Sequence, residues 1–426
     1  MEIAQLHQLF LNCHSACTDT RKLMANDMFF ALKGDCFNGN TYANQALGKG
    51  ARFAIIDEKR FKTSENTILV TNVLETLQKL AAYHRNYLNT TIIALTGSNG
   101  KTTTKELINT VLSKKYSTTA TVGNLNNHIG VPLTLLSMNK DTEIGIVEMG
   151  ANHLKEIELL CSIAKPDYGY ITNFGKAHLE GFGSIEGVIK GKSEMYRHLI
   201  NNHKTIFVNG SDPIQVERTK NANRIIFGDT TDTSIHIHFI DAQPNVSVRF
   251  KNQKIESHLI GAYNFNNIAA AIAIGDFFKI DENAIKTAIS NYIPKNNRSQ
   301  IINKGNIKII LDAYNANPSS MQAALNNFDR LQDNSKTAIL GDMFELGRSA
   351  NTEHQNIVNL IEKLTLDNII LIGSNFYETT SVSKKIIKFE SFNDFKASFN
   401  PSTLKVSTIL IKGSRGMALE RVLDLW

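Results

Sequence analysis

The chain has 426 residues, of which 42% are hydrophobic and 20% charged, and this balance excludes a disordered, collagen-like or coiled-coil protein. At roughly 150 residues per domain, the length predicts about three domains. The net charge of +6 is small and the basic residues are scattered, so dedicated nucleic-acid binding is not expected, whereas anionic small substrates fit.

The cysteines and the start of the chain indicate the compartment. None of the four cysteines belongs to a Cys-x-x-Cys pair, which argues against a disulfide framework or a zinc site. The first residues lack a basic stretch followed by an apolar one, and apolar runs such as residues 268–274 are far shorter than a membrane span. We therefore expect a cytoplasmic protein without a membrane span, and a monomer by default.

The first predicted unit, residues 1–89, is a small α/β domain. Short apolar strands are predicted at residues 28–32 and 52–56, and a helix at residues 74–88. Glycines lie in the connections between these predicted strands and the helix. A new apolar strand begins at Thr91, so the first domain boundary is placed just before it.

Residues 90–296 are predicted to form a central domain built on a parallel sheet. From Thr91 onward the pattern is strand, Gly-rich turn and helix, which is typical of a sheet covered by helices. Further buried strands and a helix are predicted at residues 144–149, 168–172 and 264–278. Residues 235–250 alternate with a period of two instead, which predicts added antiparallel strands. A loop at residues 294–300 marks the second boundary.

Residues 297–426 are predicted to form a second parallel α/β unit. Short apolar strands separated by helical segments are predicted at residues 307–311, 337–340, 369–372 and 408–411. This alternation is Rossmann-like, but the unit contains no Gly-x-Gly-x-x-Gly segment, so no dinucleotide is assigned to it. The predicted fold class is α/β with three domains.

A Gly-rich loop follows the strand that ends at Leu95 and opens a helix. Glycines let backbone N–H groups turn toward phosphate oxygens, and the helix N-terminus adds partial positive charge. Lys101 is placed to reach the terminal phosphates, and the Thr102 hydroxyl is placed to hold Mg²⁺. A Gly-rich turn with a chance Gly-Lys-Thr is the alternative. The predicted ATP-binding residues of this loop are Gly97, Ser98, Asn99, Gly100, Lys101, Thr102 and Thr103.

The loop is a short variant of the phosphate-binding motif. The full pattern has a glycine five positions before Gly100, and that position is Leu95 here. The shorter Gly-x-x-Gly-Lys-Thr resembles the loop of the Mur ligase family and of its relative, folylpolyglutamate synthase. These enzymes make amide bonds through acyl phosphates, so the central domain is expected to be a P-loop domain of that kind.

Two polar side chains follow other predicted strands of the central domain. Glu148 ends the apolar strand at residues 144–149, and His178 comes shortly after the strand at residues 168–172. Ligands of α/β sheets bind beyond the carboxyl ends of the strands, and a carboxylate there suits Mg²⁺. Taken by itself, His178 fits a surface or packing role better than a functional one. Its position near a strand end and the presence of Glu148 as a partner reverse that preference.

The resemblance to Mur ligases extends over nearly the whole chain. The segments that carry it are 19–21, 29–34, 124–132, 148–153, 177–183, 312–318, 341–347 and 412–415. Jointly they are most similar to family members that join D-alanyl-D-alanine to UDP-N-acetylmuramoyl-tripeptide. The resemblance therefore implies an ATP-dependent ligase with an N-terminal UDP-substrate domain, a central ATP domain and a C-terminal ligase domain.

The resemblance also implies cofactors. Lys101, Glu148, His178 and Lys192 are the catalytic candidates. Two Mg²⁺ ions are expected, with Thr102, Glu148, His178 and Lys192 as ligands, the lysine being carbamylated by CO₂. Composition alone would describe Lys192 as an exposed helical lysine, and Lys190 is the rival if the helix register differs by half a turn.

Further contacts are implied in the same way. Asn267 would lie near adenine, Arg298 near the ATP phosphates and Asp312 near the ribose. The substrate candidates are Thr20, Arg21, Lys33, Asn124, Asn126, Asn127, Tyr314, Asn315 and Asn317. For the asparagines, turn formation or helix entry is the alternative, and Arg298 could be a solvated loop charge. Lys412 and Arg415 could pair with a substrate carboxylate or be solvent-facing caps.

Two positions depart from the family pattern. His128 stands where an acidic residue is common, and Tyr263 stands where the family has histidine. The Asp-Asn-Pro-Arg motif of diaminopimelate-adding relatives is absent from the chain, which argues against that sister activity.

Three other hypotheses compete. The first is another amide ligase of the same fold, the second a P-loop ATPase acting as a motor or switch, and the third a scaffold that has lost catalysis. The segments 124–132 and 312–318 disfavour the first hypothesis, and the short loop and the His178–Lys192 pair disfavour the second. The scaffold is disfavoured because the catalytic candidates Lys101, Glu148, His178 and Lys192 are all present. With ATP on the second unit and the amine on the third, the third unit is expected to close onto the second and exclude water.

Overall fold

The computed structural model describes residues 1–401 and 406–425. Within them the main strands form three separate sheets, and each sheet lies in one of the three predicted ranges. The α/β fold class predicted from the sequence is confirmed. The exact boundaries, at 89/90 and 296/297, stay predictions. None of the described helices is long and apolar enough to cross a membrane.

The N-terminal unit has a four-stranded parallel sheet in the order β1-β2-β5-β6 and a small β3–β4 hairpin. Its strands are β1 Ala16–Cys17, β2 Met28–Phe30, β3 Lys33–Gly34, β4 Phe37–Asn38, β5 Phe53–Ile56 and β6 Thr67–Leu69. Its helices are α1 Ile3–Phe10, α2 Ala43–Gly48 and α3 Val73–Leu88. One core cluster runs from this unit into the central one, joining Leu77 and Leu80 to Val131 and Leu135.

The central unit has nine described strands in the order β15-β14-β13-β12-β11-β10-β7-β9-β8. They are β7 Thr91–Thr96, β8 Thr118–Ala120, β9 Ile144–Glu148, β10 Tyr168–Ile171, β11 Thr205–Asn209, β12 Arg224–Gly228, β13 Ile235–Asp241, β14 Ser247–Phe250 and β15 Gln253–Glu256. The strands from β8 to β13 pair in parallel, whereas β13, β14 and β15 are antiparallel, as the period-two pattern predicted.

Helices cover this central sheet. They are α4 Lys101–Leu112, α5 Gly130–Leu136, α6 Glu156–Ala164, α7 Leu179–Phe182, α8 Ile185–Lys192, α9 Glu194–Asn201, α10 Pro213–Arg218, α11 Phe265–Phe277 and α12 Glu282–Ser290. Strand β7 lies between β10 and β9, and the register pairs Leu95 with Glu148 and Thr96 with Ile171. The loop after β7 is therefore flanked by the carboxyl ends of both neighbouring strands.

The third unit has six described strands in the order β16-β17-β21-β18-β19-β20. They are β16 Gln300–Lys304, β17 Ile307–Asp312, β18 Lys336–Gly341, β19 Asn368–Ile372, β20 Ile386–Phe389 and β21 Thr408–Lys412, of which only β16 runs antiparallel to its neighbour. The described helices are α13 Pro318–Asp329, α14 Ala350–Ile361, α15 Ser374–Tyr377 and α16 Phe392–Ser398. The parallel pairing places Asp312 opposite Lys412 at the carboxyl ends of β17 and β21.

Candidate functional site

The phosphate loop has a backbone conformation that favours glycine at two positions. Gly97 has a φ of 140° and Gly100 a φ of 80°, both outside the range that other residues favour. A Cβ on Gly97 would lie 2.0 Å from Oγ1 of Thr172, and a Cβ on Gly100 would lie 2.5 Å from Oδ1 of Asn267. The glycines thus permit both the turn and the close packing of this loop against its neighbours.

Lys101 begins α4 and lies inside this loop. Its Nζ donates a hydrogen bond to the carbonyl of Gly97 at 2.8 Å. Burial lowers the pKa of Lys101, while the Glu148 carboxylate acts in the opposite direction. An anion bound in the loop would take the place of that carbonyl as the partner of the ammonium group.

Thr102 and Glu148 meet beside the loop, as the strand order requires. Thr102 Oγ1 donates to Oε2 of Glu148 at 2.9 Å, and Asn126 Nδ2 donates to the other carboxylate oxygen at 2.9 Å. The backbone N–H of Glu148 donates to Oγ1 of Thr121 at 3.0 Å. A hydroxyl and a carboxylate in contact offer the hard oxygen ligands that Mg²⁺ prefers, so these residues fit the metal that was predicted.

Lys192 is wholly buried, with 0% exposure, so the description from composition alone is wrong. Its Nζ donates to the carbonyl of Ala151 at 3.1 Å, and no carboxylate of the described residues lies within ion-pair distance of it. Burial, and then the nearby charge of Lys101, lower its pKa far below the ordinary value. Lys190 is exposed, so the register favours Lys192 over its rival.

His178 lies at the boundary between the central and third units. It is the N-cap residue of α7, and its Nδ1 pairs with Oε2 of Glu345, which follows β18. This hydrogen bond holds the pKa of the Glu345 carboxyl below its usual range, and burial acts in the opposite direction. The segment that contains Glu345 is part of the family resemblance, but the sequence assigns no site role to Glu345, because the pairing joins residues 167 positions apart.

Further contacts join the third unit to the phosphate loop. Asn317 is the N-cap of α13, and its Nδ2 donates to Oδ1 of Asn99 at 2.7 Å. Nearby, the N–H of Lys176 donates to Oγ of Ser319 at 2.9 Å. The side chain of Lys176 pairs with Glu353 at 2.6 Å. The loop is therefore held from the third unit as well as from its own sheet.

The residues predicted to contact the nucleotide lie where the central unit meets the third unit. Thr104 Oγ1 donates to Oδ1 of Asn267 at 3.0 Å, which fixes this amide behind the loop. The Arg298 guanidinium stacks on the Tyr314 ring at 3.7 Å from its centroid, and its buried Nε has no partner among the described residues. Arg298 is thus not a freely solvated loop charge, and its unsatisfied donor can serve an anionic ligand.

Asp312 is held by two donors. Its Oδ2 accepts from Nζ of the buried Lys412 at 2.6 Å, and its Oδ1 accepts from the backbone N–H of Ser299 at 3.0 Å. Ser299 also pairs through Oγ with the hydroxyl of Tyr263 at 2.9 Å. Tyr263, at the position where the resembling family has histidine, therefore links the central unit to the segment that leads into the third.

Most of the predicted site residues line one cavity of about 960 Å³ between the central and third units. Those that do are Ser98, Asn99, Gly100, Lys101, Thr102, Thr103, Asn124, Asn126, Asn127, Glu148, His178, Asn267, Arg298, Asp312, Tyr314, Asn315 and Asn317. Gly97 and Lys192 lie behind the lining. Asn127 also forms the turn before α5, because its Oδ1 accepts from the N–H groups of Ile129 and Gly130.

The three N-terminal candidates do not line this cavity. Lys33 pairs with Asp57 at 2.9 Å and with Glu58 at 3.1 Å. Arg21 is exposed and pairs with its neighbour Asp19 at 2.8 Å. The carbonyl of Thr20 accepts from Lys49 Nζ at 2.9 Å. Any role of these residues in substrate binding stays a prediction, at a place separate from the ATP loop.

Comparison with known proteins extends this description to the whole chain. The Mur ligase middle domain matches residues 95–275, and the Mur ligase glutamate ligase domain matches residues 297–415. The chain is 34% identical to the UDP-N-acetylmuramoyl-tripeptide–D-alanyl-D-alanine ligase of Bacillus subtilis (strain 168), over 96% of this chain and 92% of the relative.

Solved structures resemble it over the same extent. MurF from Acinetobacter baumannii is 29% identical and superposes with a TM-score of 0.87, covering 99% of this chain and 98% of the other. MurF ligase from Thermotoga maritima, solved in complex with ADP, is 27% identical with a TM-score of 0.83, covering 98% and 97%. The chain belongs to the Mur ligase family.

Proposed function

We infer that this protein is an ATP-dependent ligase that joins D-alanyl-D-alanine to the terminal carboxylate of UDP-N-acetylmuramoyl-tripeptide. The product is the UDP-linked pentapeptide precursor of peptidoglycan, with ADP and phosphate. The observation that carries the inference is one cavity lined by a phosphate loop from the central unit and by polar side chains from the third unit. In a member of this family, that arrangement fits a ligase with two substrates and a nucleotide.

The chemistry explains why such a cavity is needed. A carboxylate does not react with an amine at neutral pH, so ATP first converts it into an acyl phosphate, which the amine then attacks with release of phosphate. ATP and the carboxylate are both anions, and Lys101 in the loop offsets their repulsion. Enclosure between two units excludes water, which would otherwise hydrolyse the acyl phosphate.

Two Mg²⁺ ions are proposed to assist this step. Thr102, Glu148, His178 and a carbamylated Lys192 would hold them. No three His, Cys, Asp or Glu side chains of the described residues converge, so the proposed set depends on the hydroxyl and on the modified lysine. When bound, Mg²⁺ supplies positive charge against the transferring phosphoryl group.

The carbamate on Lys192 is supported by its surroundings. An ammonium group that is fully buried without a carboxylate partner is costly, so the neutral amine is favoured at this position. A neutral amine is the form that adds CO₂, and the resulting anion would face the positive charge of bound metal. We propose that this lysine is modified for that reason.

The remaining roles follow from position. Asn267, Arg298 and Asp312 are proposed to contact the nucleotide. The tripeptide and D-alanyl-D-alanine are proposed to contact Asn124, Asn126, Asn127, Tyr314, Asn315 and Asn317, and the UDP group to contact Thr20, Arg21 and Lys33. A cytoplasmic location and a monomeric state stay predictions.

Two assays test the inference. Phosphate release from the purified protein is measured with Mg-ATP alone, then with UDP-N-acetylmuramoyl-tripeptide, then with D-alanyl-D-alanine as well, and the product is analysed by mass spectrometry. Release that requires both substrates, together with a UDP-linked pentapeptide, is the expected result. Lys101→Met should abolish it, whereas replacement of the exposed Lys190 by Gln should not.

Other results would overturn the inference in different ways. Phosphate release with ATP alone would favour a motor or switch. Turnover with another amine, but not with D-alanyl-D-alanine, would keep the ligase mechanism and change the substrate. No phosphate release with any amine would favour a scaffold that has lost catalysis.

A further inference from the structure

The imidazole of His178 is held by a side chain from another unit of the fold. Its Nδ1 pairs with Oε2 of Glu345, which belongs to the third unit. The backbone strengthens the same contact, because the N–H of Glu180 donates to the carbonyl of Glu345 at 3.1 Å. Gly347 packs against Glu180 as well, since a Cβ on this glycine would lie 3.3 Å from Cα of Glu180. The His178–Glu345 pair is therefore part of a packed interface between the central and third units.

Both partners have backbone conformations that non-glycine residues rarely adopt. His178 has a φ of 53° and Glu345 a φ of 61°. A left-handed conformation is unfavourable for an L-residue, so the surrounding packing must maintain each of them. Two such residues meeting at one hydrogen bond, on the wall of the cavity, indicate that the geometry of this contact matters for function.

The contact also selects the tautomer of the ring. A carboxylate accepts hydrogen bonds, so Nδ1 of His178 carries the proton, and Nε2 of the neutral ring keeps its lone pair. In the part of the chain that the structure describes, the imidazole forms its hydrogen bond through Nδ1, and Nε2 has no hydrogen-bond partner. Histidines that bind metals commonly have their other nitrogen bonded to a carboxylate in this way, which orients the ring and raises its basicity.

We propose that Glu345 is a positioning residue that orients His178 for Mg²⁺, so that the metal site is complete only while the third unit is docked on the central unit. This inference rests on the metal role given to His178 in the proposed function. It follows that metal binding and docking favour each other, because each stabilises the arrangement that the other requires.

The same interface offers a matched control. The Lys176–Glu353 pair, at 2.6 Å, also joins the central and third units, and Lys176 is two residues before His178. Glu353 forms no hydrogen bond or ion pair with His178, and it is not among the residues that line the cavity. Replacing Glu353 by Gln removes an ion pair between the units and leaves the imidazole contact in place.

The experiment uses Mn²⁺ as the probe in the full-length protein, with a non-hydrolysable ATP analogue and no other substrate. Electron spin-echo spectroscopy detects imidazole nitrogen bound to Mn²⁺, and titration gives the apparent dissociation constant. We expect Glu345→Ala to lose the nitrogen signal and to bind Mn²⁺ about 10–100-fold more weakly, with Glu345→Gln intermediate. Glu353→Gln should retain the nitrogen signal and stay within about threefold of the wild type.

The outcomes separate this inference from the one it rests on. A nitrogen signal in the wild type that persists in Glu345→Ala would overturn the positioning role alone. Equal weakening in Glu345→Ala and Glu353→Gln would assign the effect to docking in general and would also overturn it. Absence of the signal from the wild type would overturn the metal role of His178 and this inference together. Thermal midpoints of all variants check that each one folds.

Discussion

Asn317 of the third unit donates a hydrogen bond through Nδ2 to Oδ1 of Asn99, in the phosphate loop of the central unit, at 2.7 Å. The same side chain accepts, through its oxygen, from the N–H of Ser320 at 2.9 Å, and so caps helix α13. The start of a helix that would contact one substrate is thus bonded directly to the loop that would hold ATP. Occupancy of the loop and the position of the third unit should therefore depend on each other.

Replacing Asn317 by Ser should reduce activity while leaving stability almost unchanged. Serine caps helices about as well as asparagine, but its side chain is too short to reach Asn99. Loss of one hydrogen bond between the units should lower kcat/KM about tenfold, which corresponds to ~1.4 kcal/mol. Steady-state kinetics and a thermal melt measure the two effects.

Ser320→Ala is the control for this prediction. It removes the Ser320 hydroxyl, which accepts from the N–H of Asn317 at 3.0 Å, and leaves the amide contact to Asn99 intact. We expect a lower melting temperature with kcat/KM close to that of the wild type. If Ser320→Ala lowered kcat/KM as much as Asn317→Ser does, the cap and not the contact between the units would be the cause.

A carbamate on Lys192 should be detectable by ¹³C NMR spectroscopy. Protein equilibrated with ¹³C-bicarbonate should show a carbamate carbonyl resonance that is absent from Lys192→Gln and present in Lys190→Gln. Lys190 is exposed and lies two residues earlier in the same helix, which makes it a matched control. Activity of Lys192→Gln should fall at least about 100-fold, as for the loss of a group that supports transition-state charge. Wild-type protein without the resonance, but with full activity, would contradict the modification.

For the Lys412–Asp312 pair, we expect that stability and ATP affinity respond differently to substitution. Lys412 is 2% exposed and its Nζ lies 2.6 Å from Oδ2 of Asp312. Lys412→Met should destabilise the third unit by about 3 kcal/mol, because it leaves a largely buried carboxylate without its partner. Adding Asp312→Asn should recover much of the melting temperature and none of the ATP affinity, since Asp312 is proposed to contact the nucleotide. Calorimetry and nucleotide titration of Lys412→Met, Asp312→Asn and the double variant test this, and additive losses of stability would contradict the coupling.

The parts of the site that the sequence predicted follow from strand order. A phosphate loop after β7 and a carboxylate at the end of β9 must lie close together once the two strands are neighbours, and Thr102 does contact Glu148. The predicted strands and helices are also found, with ends that differ by one or two residues. Periodicity fixes the type of an element better than its last residue, because helix and strand ends depend on local caps and neighbours.

The parts that were missed depend on packing between distant segments. Lys192 follows a helical pattern with ordinary polar neighbours, yet its buried Nζ lies over the Phe182 ring and donates to the carbonyl of Ala151. Glu345 and His178 are brought together only by the docking of two units. Local composition carries no information about either arrangement, so these relationships required the structure.

The last prediction concerns pH and the joint between the N-terminal and central units. His84 on α3 uses Nε2 to contact the carbonyl of Met138 at 2.9 Å, so its Nδ1 accepts from Nε2 of His7 on α1, also at 2.9 Å. The rings of Tyr83 and Tyr87 pack around His7, and its buried Nδ1 has no partner among the described residues. A proton added to this pair would have no acceptor to stabilise it.

Acid should therefore weaken this joint. Burial, and then His84, lower the pKa of His7 from 6.5 to about 4. Because the folded protein binds this proton less readily than the unfolded chain, the stabilisation is fully present above pH 6.5 and is lost as the pH falls toward 4, by on the order of 2 kcal/mol. We expect the melting temperature to fall between pH 7.5 and pH 5, and to fall less in His7→Phe, which keeps the packing and cannot be protonated. Parallel pH profiles for the two proteins would show that other groups cause the acid sensitivity.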